Sequence, residues 1–314
     1  MRPISLSFDV TDVLPSDVTQ GKRISIAAWL FVPDDLRLLG PKPVVMALLS
    51  GGSYDKRYFH IQIPGYSGYS AAEHLAALGN IVLVPDHLGV GESARVPDQK
   101  RATRRIAALA NHAAVTQFYE RLRGGGIHPK LPALREFVKV GGGHSMGGMQ
   151  TVVQQAAFRT YEAMMVLGYT AIGVHFTIGG KLLRADAYPP NAPPGDYLLG
   201  SREFLHESFH WEDVPAAVVA ADDAMAVETP SVIGMESINT GIIAEDAGQI
   251  DVPTYICLAE RDVSPDPHGE PARYKQCRDL MLHILPRSGH CQNFASTRHQ
   301  MWNRMHAWAR CVTA

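Results

Sequence analysis

The chain has 314 residues, of which 46% are hydrophobic and 19% charged, and a formal net charge of -2. That length allows one large α/β domain, or a core domain carrying an insertion, with no need of a disulfide scaffold. The composition excludes a disordered or fibrous chain, and the near-neutral charge argues against electrostatic capture by nucleic acid or an anionic membrane.

The opening residues MRPISLSFDV alternate apolar and polar and lack the unbroken apolar stretch of a signal peptide, so they read as a strand. RISIAAWLFVP, ending at Pro33, and PVVMALLS at 43–50 are further strands, rich in β-branched and large apolar residues. YSAAEHLAALG (69–79) has helical spacing and a stop at Gly79, and IVLVP (81–85) reads as a parallel strand covered on both faces. A helical segment at 97–124 ends in Gly124-Gly125-Gly126. FVKVGGG (137–143) is then a strand, GGMQTVVQQAAFR (147–159) a helix and YEAMMVLGYTA (161–171) another buried strand.

This alternation from residue 43 onward predicts a mainly parallel sheet with helices on both faces. The rhythm breaks between 173 and 235, a stretch with Pro189-Pro190-Asn191-Ala192-Pro193-Pro194-Gly195, short helical pieces and many aromatics. It reads as a mostly helical cap inserted into a core made of 1–172 and 236–314. The alternation returns with VPTYICLAE (252–260), a helix around 270–279, MLHILP (281–286) and an amphipathic helix at 298–310. No run approaches the roughly 18 apolar residues of a membrane helix, so a soluble, cytoplasmic protein is expected. Cys257, Cys277, Cys291 and Cys311 form no CxxC pair and read as reduced thiols.

Gly143-His144-Ser145-Met146-Gly147 matches G-x-S-x-G between a strand-type and a helix-type run. That pattern sets a serine on a sharp strand-to-helix turn, where small neighbours let the backbone close and leave Oγ exposed. A serine hydroxyl needs a base, an acid to orient the base and donors for the oxyanion. Asp262, at the tip of the strand VPTYICLAE, is the preferred acid, with Glu260 and Asp266 as competitors. His290, in the loop after the last strand, is the base, completing the chain order Ser, Asp, His. The oxyanion donors are expected to be the N–H of Met146 and one from Ser50-Gly51-Gly52-Ser53-Tyr54, by position Gly52, with the Tyr54 hydroxyl as an alternative.

On these residues the chain resembles the α/β-hydrolase family, with Ser50 where the family's loop begins with a His-Gly pair. The likeness rests on Ser50-Gly51-Gly52, Asp86-His87-Leu88-Gly89-Val90-Gly91-Glu92-Ser93, Gly143 to Gly148, Glu260-Arg261-Asp262 and Ser288-Gly289-His290, and covers most of the chain outside the cap. It implies an acyl-enzyme mechanism on a small-molecule substrate without a cofactor, nucleic acid or membrane partner, and it leaves a homo-oligomer open. The Asp86 to Ser93 turn is taken as structural.

Three patterns compete. His206-Glu207-Ser208-Phe209-His210 matches H-E-x-x-H, which on a helix would aim two zinc ligands and a base from one face, yet it lacks an extension and falls in the cap. Gly89-Val90-Gly91-Glu92-Ser93-Ala94 imitates a dinucleotide turn but is separated from its strand by Asp86-His87, and Gly141 to Gly148 lacks the Lys-Ser/Thr end of a phosphate loop. Phe176, Phe204, Phe209 and Trp211 of the cap are candidates for an apolar acyl or alcohol pocket or for cap core. The expected function is hydrolysis of small to medium, largely apolar carboxylic esters. Lactone, amide or carbon–carbon bond cleavage on the same triad, or binding without catalysis, are the alternatives.

Overall fold

The structure, a computed structural model, describes residues 2–129, 131–187, 195–199 and 202–312. Its strands are β1 (Ile4–Asp9), β2 (Ser25–Phe31), β3 (Val44–Leu49), β4 (Ile81–Pro85), β5 (Val138–His144), β6 (Ala163–Leu167), β7 (His175–Ile178), β8 (Lys181–Arg184), β9 (Tyr197–Leu198), β10 (Thr229–Pro230), β11 (Thr254–Arg261) and β12 (Leu280–Gly289). Its helices are α1 (Ser16–Thr19), α2 (Ala71–Ala77), α3 (Arg104–Gly124), α4 (Met146–Phe158), α5 (His206–Phe209), α6 (Ala216–Ala224), α7 (Ser231–Ile238), α8 (Ala244–Gly248) and α9 (Arg298–Val312).

Eight strands form one sheet in the order β1-β2-β4-β3-β5-β6-β11-β12. β1 and β2 run antiparallel and every pair from β4 to β12 runs parallel. Parallel strands need crossovers on both faces, which is why β3, β4 and β6 are buried at every position. One face packs Phe118, Met149 and Val152 of α3 and α4, and the other packs Leu75 and Trp302 of α2 and α9. α4 is buried along its whole first ten residues, Met146 to Gln155, so the segment after the Gly-rich turn is a central rod between sheet and outer helices.

The sequence reading of a mainly parallel sheet flanked by helices holds. Two local expectations change. The stretch around 270–279 is not an α-helix: Asp266 caps a 3-10 turn over Pro267–Arg273 with Pro271 inside it, and proline removes the N–H that a longer helix needs. Residues 173–235 include a β-hairpin, β7 to β8, turning at Gly179 and Gly180 with φ of 59° and 72°; both glycines supply the positive φ of a tight two-residue hairpin turn. Residue 235 lies within α7, Ser231–Ile238. Pro189 to Pro194 lie outside the described residues. Among the described residues no helix is long and apolar enough to cross a membrane, and all four cysteines are free.

Candidate active site

Ser145 sits between β5 and α4 at φ 53°, ψ -122°, a strained conformation for a residue with a side chain. The two glycines of the pentapeptide make that turn possible. A Cβ on Gly143 would lie 2.2 Å from the Gly147 carbonyl, and one on Gly147 would lie 2.2 Å from the Leu49 carbonyl oxygen. Ser145 N–H is held by the Leu167 carbonyl at 2.8 Å. Ser145 is half-buried while its neighbours on both sides are buried, so the turn offers this side chain outward. The N-terminus of α4 adds a partial positive charge beside it.

His290 Nε2 lies 2.9 Å from Ser145 Oγ, and its Nδ1 lies 2.6 Å from Asp262 Oδ1. Asp262 also accepts the Val263 N–H on Oδ1 at 2.8 Å and the Ala259 N–H on Oδ2 at 2.6 Å, while Gln292 Nε2 reaches Oδ2 at 3.3 Å. The competing acids are engaged elsewhere: Glu260 accepts the Arg287 N–H, and Asp266 accepts the Gly269 N–H in its cap. The His290 backbone is fixed from both sides. Its carbonyl accepts from His144 Nε2 at 2.8 Å, and its N–H donates to the Ser208 carbonyl at 2.8 Å. Burial, followed by the neighbouring His290, holds His144 well below the usual histidine range, so it is neutral and its Nε2 carries the donated proton. Its ring stacks on Tyr58 with centroids 4.6 Å apart.

The loop after β3 lies against this turn. A Cβ on Gly51 would come within 3.0 Å of His144 Nδ1 and 3.1 Å of Ser145 Cβ, and one on Gly52 would reach Met146 Sδ at 3.8 Å. Among the described residues the N–H groups of Gly52 and Met146 make no hydrogen bond. The loop is braced in part from the turn after β4. His87 Nε2 donates to the Ser50 carbonyl at 2.7 Å, with burial pushing the ring pKa down to about 4 so that it stays neutral. Ser50 Oγ donates to the Tyr54 carbonyl at 3.0 Å. Asp86, in the turn after β4, accepts Lys56 Nζ at 2.6 Å and the N–H groups of Lys56 and Glu92. Ser53 N–H donates to Thr229 Oγ1 at 2.8 Å and the Ser53 carbonyl accepts from Val227 N–H at 3.0 Å.

Tyr54 does not take the alternative role at the oxyanion position. Its hydroxyl donates to Asp222 Oδ1 at 2.7 Å, lies 3.1 Å from Cys291 Sγ and accepts from Arg202. Arg202 also pairs with Asp222 Oδ2 at 2.9 Å, and its guanidinium stacks on the Tyr54 ring. This buried cluster joins the inserted segment to the loop after β3 and to the residue following His290. A buried Tyr, Arg and Asp tied together leave the phenol no free donor for a substrate.

The four aromatic candidates of the insertion separate. Phe209 packs on the His290 ring at 5.4 Å between centroids, and Phe176 meets Phe209 edge-on at 6.2 Å. Phe204 is 59% exposed at a cavity of about 430 Å³, which Phe176, Ile178, Leu183 and Ile238 also line. Trp211 instead carries the Arg261 guanidinium on its ring at 4.8 Å and faces neither the base nor the cavity.

The H-E-x-x-H side chains diverge. His206 Nε2 is 3.0 Å from Asp223, His210 Nε2 is 2.9 Å from Asp222, and Glu207 accepts the Gly179 and Gly180 N–H groups at the hairpin turn. Among the described residues no group of three or more His, Cys, Asp or Glu is placed to hold a metal ion. The Ser208 and Phe209 carbonyls inside this motif instead receive the His290 and Cys291 N–H groups.

Residues 46–300 match the sequence profile of the Alpha/beta hydrolase family. No curated protein matches by sequence. Solved structures with the same fold include a thermophilic esterase from Thermogutta terrifontis with malate bound, 15% identical with a TM-score of 0.66 over 98% of this chain and 100% of that one. Est1E from Butyrivibrio proteoclasticus with ferulic acid bound is 15% identical with a TM-score of 0.56, over 92% and 96%. The proline iminopeptidase of Mycobacterium smegmatis is 14% identical with a TM-score of 0.59, over 98% of each. At these identities the likeness is one of fold.

Proposed function

Because the chain belongs to the alpha/beta hydrolase family, we propose that it is a serine hydrolase that cleaves small to medium, largely apolar carboxylic esters through Ser145, His290 and Asp262. The observation that carries this reading is the hydrogen-bonded series Ser145 Oγ, His290 and Asp262, with links of 2.9 and 2.6 Å, beside the unengaged N–H groups of Gly52 and Met146. His290 takes the Ser145 proton as Oγ attacks the carbonyl, and Asp262 holds the imidazole in the tautomer that can accept it. Gly52 and Met146 N–H then face the oxyanion, which is where such donors lower the barrier most. His290 passes its proton to the alkoxy oxygen, the alcohol leaves, and water activated by the same histidine releases the acid from Ser145.

Residues 173–235 act in this reading as a cap forming one wall of the substrate pocket. The carbon-rich cavity beside Phe176 and Phe204 supports an apolar substrate, and the four free thiols suit a reducing, cytoplasmic setting. The test is labelling with a fluorophosphonate probe followed by a panel of p-nitrophenyl esters, lactones, anilides and vinylogous diketones. A Ser145 adduct, absent in Ser145→Ala, with preferential ester turnover is expected. Absence of the adduct overturns the enzyme reading, and turnover of the diketones alone overturns the ester assignment.

A further inference from the structure

Several buried groups lie outside the proposed reaction. Glu270 accepts from Ser264 Oγ at 2.6 Å and the Ala171 N–H at 2.9 Å, and so fastens two loops. The Tyr54, Arg202 and Asp222 cluster is internally paired. The cavity of about 430 Å³ is different, because it is open space with an apolar lining and two hydrogen-bonded routes to the reacting groups. Its volume falls in the range of small-molecule sites.

One wall is the face of β7 and β8 that carries Phe176, Ile178 and Leu183, with Phe176 directly opposite Leu183 in register. Arg184, the cationic lining residue, is taken up by Asp186 at 3.0 Å, so the cavity suits an uncharged hydrocarbon. The same strand is fixed to the loops of acid and base. His175 N–H donates to the carbonyl of Val263, the residue after Asp262, at 2.8 Å. Thr177 N–H donates to Ser208 Oγ at 2.5 Å, and the Ser208 carbonyl accepts the His290 N–H at 2.8 Å. Phe176, which lines the cavity, meets Phe209 edge-on, and Phe209 packs on the His290 ring, so two rings in contact link the cavity to His290.

We infer that this cavity receives the alkyl part of the alcohol half of the ester, an inference that rests on the Ser145 hydrolase reading. The side follows from where the proton goes. As the Oγ–carbonyl bond forms and the carbon–alkoxy bond breaks, the proton that His290 took from Ser145 passes to the alkoxy oxygen, so that oxygen lies at His290 Nε2. The carbonyl oxygen lies instead toward Gly52 and Met146. The carbon chain beyond the alkoxy oxygen therefore runs along the His290 flank covered by Phe209 and continues past Phe176 into the cavity. The acyl chain leaves in another direction.

Two ester series on the full-length protein test this: acetates of ethanol, butanol, hexanol and octanol, and ethyl esters of the matching acids. kcat/KM should rise along the alcohol series, by up to about fourfold per methylene as it enters apolar surroundings, and stay flat along the acyl series. Leu183→Trp, which fills the cavity, should cut kcat/KM for octyl acetate at least tenfold while ethyl acetate and ethyl octanoate stay within twofold. Phe204→Asp, at a position that is 59% exposed, should lower octyl acetate selectively in the same way and weaken product inhibition by octanol but not by octanoate. If both variants act on ethyl octanoate, or on neither series, the alcohol assignment is wrong. If wild-type Ser145 takes no fluorophosphonate label, the hydrolase reading itself fails; a labelled Ser145 with variants blind to the alcohol sinks only this inference.

Discussion

The sheet and the inserted segment contribute to the same site by different means. The sheet places the proposed reacting groups at the ends of β5, β11 and β12, and two of them, Ser145 and His290, sit at points of backbone constraint. Ser145 is at positive φ between glycines that tolerate no Cβ, and His290 follows Gly289, whose Cβ would fall 2.6 Å from the Phe209 carbonyl. The inserted segment supplies mostly backbone partners and a buried ion pair. Ser208 and Phe209 carbonyls hold the base loop, Val227 and Thr229 hold Ser53, His175 holds the acid loop, and Asp222 with Arg202 holds Tyr54. A segment fastened to the loops of His290 and Asp262 and to the loop after β3 is part of the scaffold that fixes them, and disturbing it should move stability and geometry before chemistry.

That division can be broken most sharply at Ser145. Ser145→Ala removes the nucleophile and leaves every contact of the inserted segment in place. kcat should fall by roughly 10⁴-fold or more, while the urea midpoint stays within the change of an ordinary substitution, about 1 kcal/mol. Asp222→Ala asks the reverse. Burial works against the charge on Arg202, which its partners Tyr54 and Asp222 hold above its ordinary value. Without the carboxylate a buried guanidinium is left uncompensated, at a cost of about 3–5 kcal/mol. Urea denaturation should show that loss, with the remaining folded enzyme retaining most of its kcat. Equal stabilities of Asp222→Ala and wild type would mean that the buried pair does not anchor the segment.

The two regions also differ in how far their sequence could be read. Gly143, Ser145 and Gly147 were legible because the backbone there accepts few residue types, and His290 because it follows Gly289 just past the last strand. Asp262 needed the added information that β11 ends beside it. The bracing of the loop after β3 by His87 was hidden, because His87 belongs to a different turn and it is the pairing of β4 with β3 that brings it near Ser50. In the inserted segment the carbonyls of Ser208 and Phe209 carry no residue signature, since any residue offers one. Tyr54, an exposed-looking aromatic in a loop, was drawn away from the oxyanion position by Asp222, 168 residues later.

Acid should strain the sheet side of the site first. His87 is held near 4 in the fold by burial, against 6.5 as its ordinary value. Between those values the unfolded chain binds the proton and the folded one does not, so stability rises with pH through this window and is lost as pH falls from about 6.5 to 4. For His87 alone the loss is about 3 kcal/mol, and His144, also held low by burial, adds in the same direction. Thermal melts from pH 7 to 4 check this, with His87→Gln expected to flatten the curve.

The smallest effect separates the segment's backbone role from its side chains. Ser208 Oγ accepts the Thr177 N–H and donates to the Thr177 carbonyl at 3.0 Å, so Ser208→Ala leaves two half-buried backbone groups without their side-chain partner. The cost should be about 1–2 kcal/mol. The Ser208 carbonyl that holds His290 is retained in this variant, so the base stays in register. The expected pattern is therefore a lowered melting temperature with kcat for ethyl esters within about threefold of wild type. A large fall in kcat at unchanged melting temperature would reverse the argument, because it would mean that the hairpin contact through Ser208, rather than its backbone carbonyl, sets the position of His290.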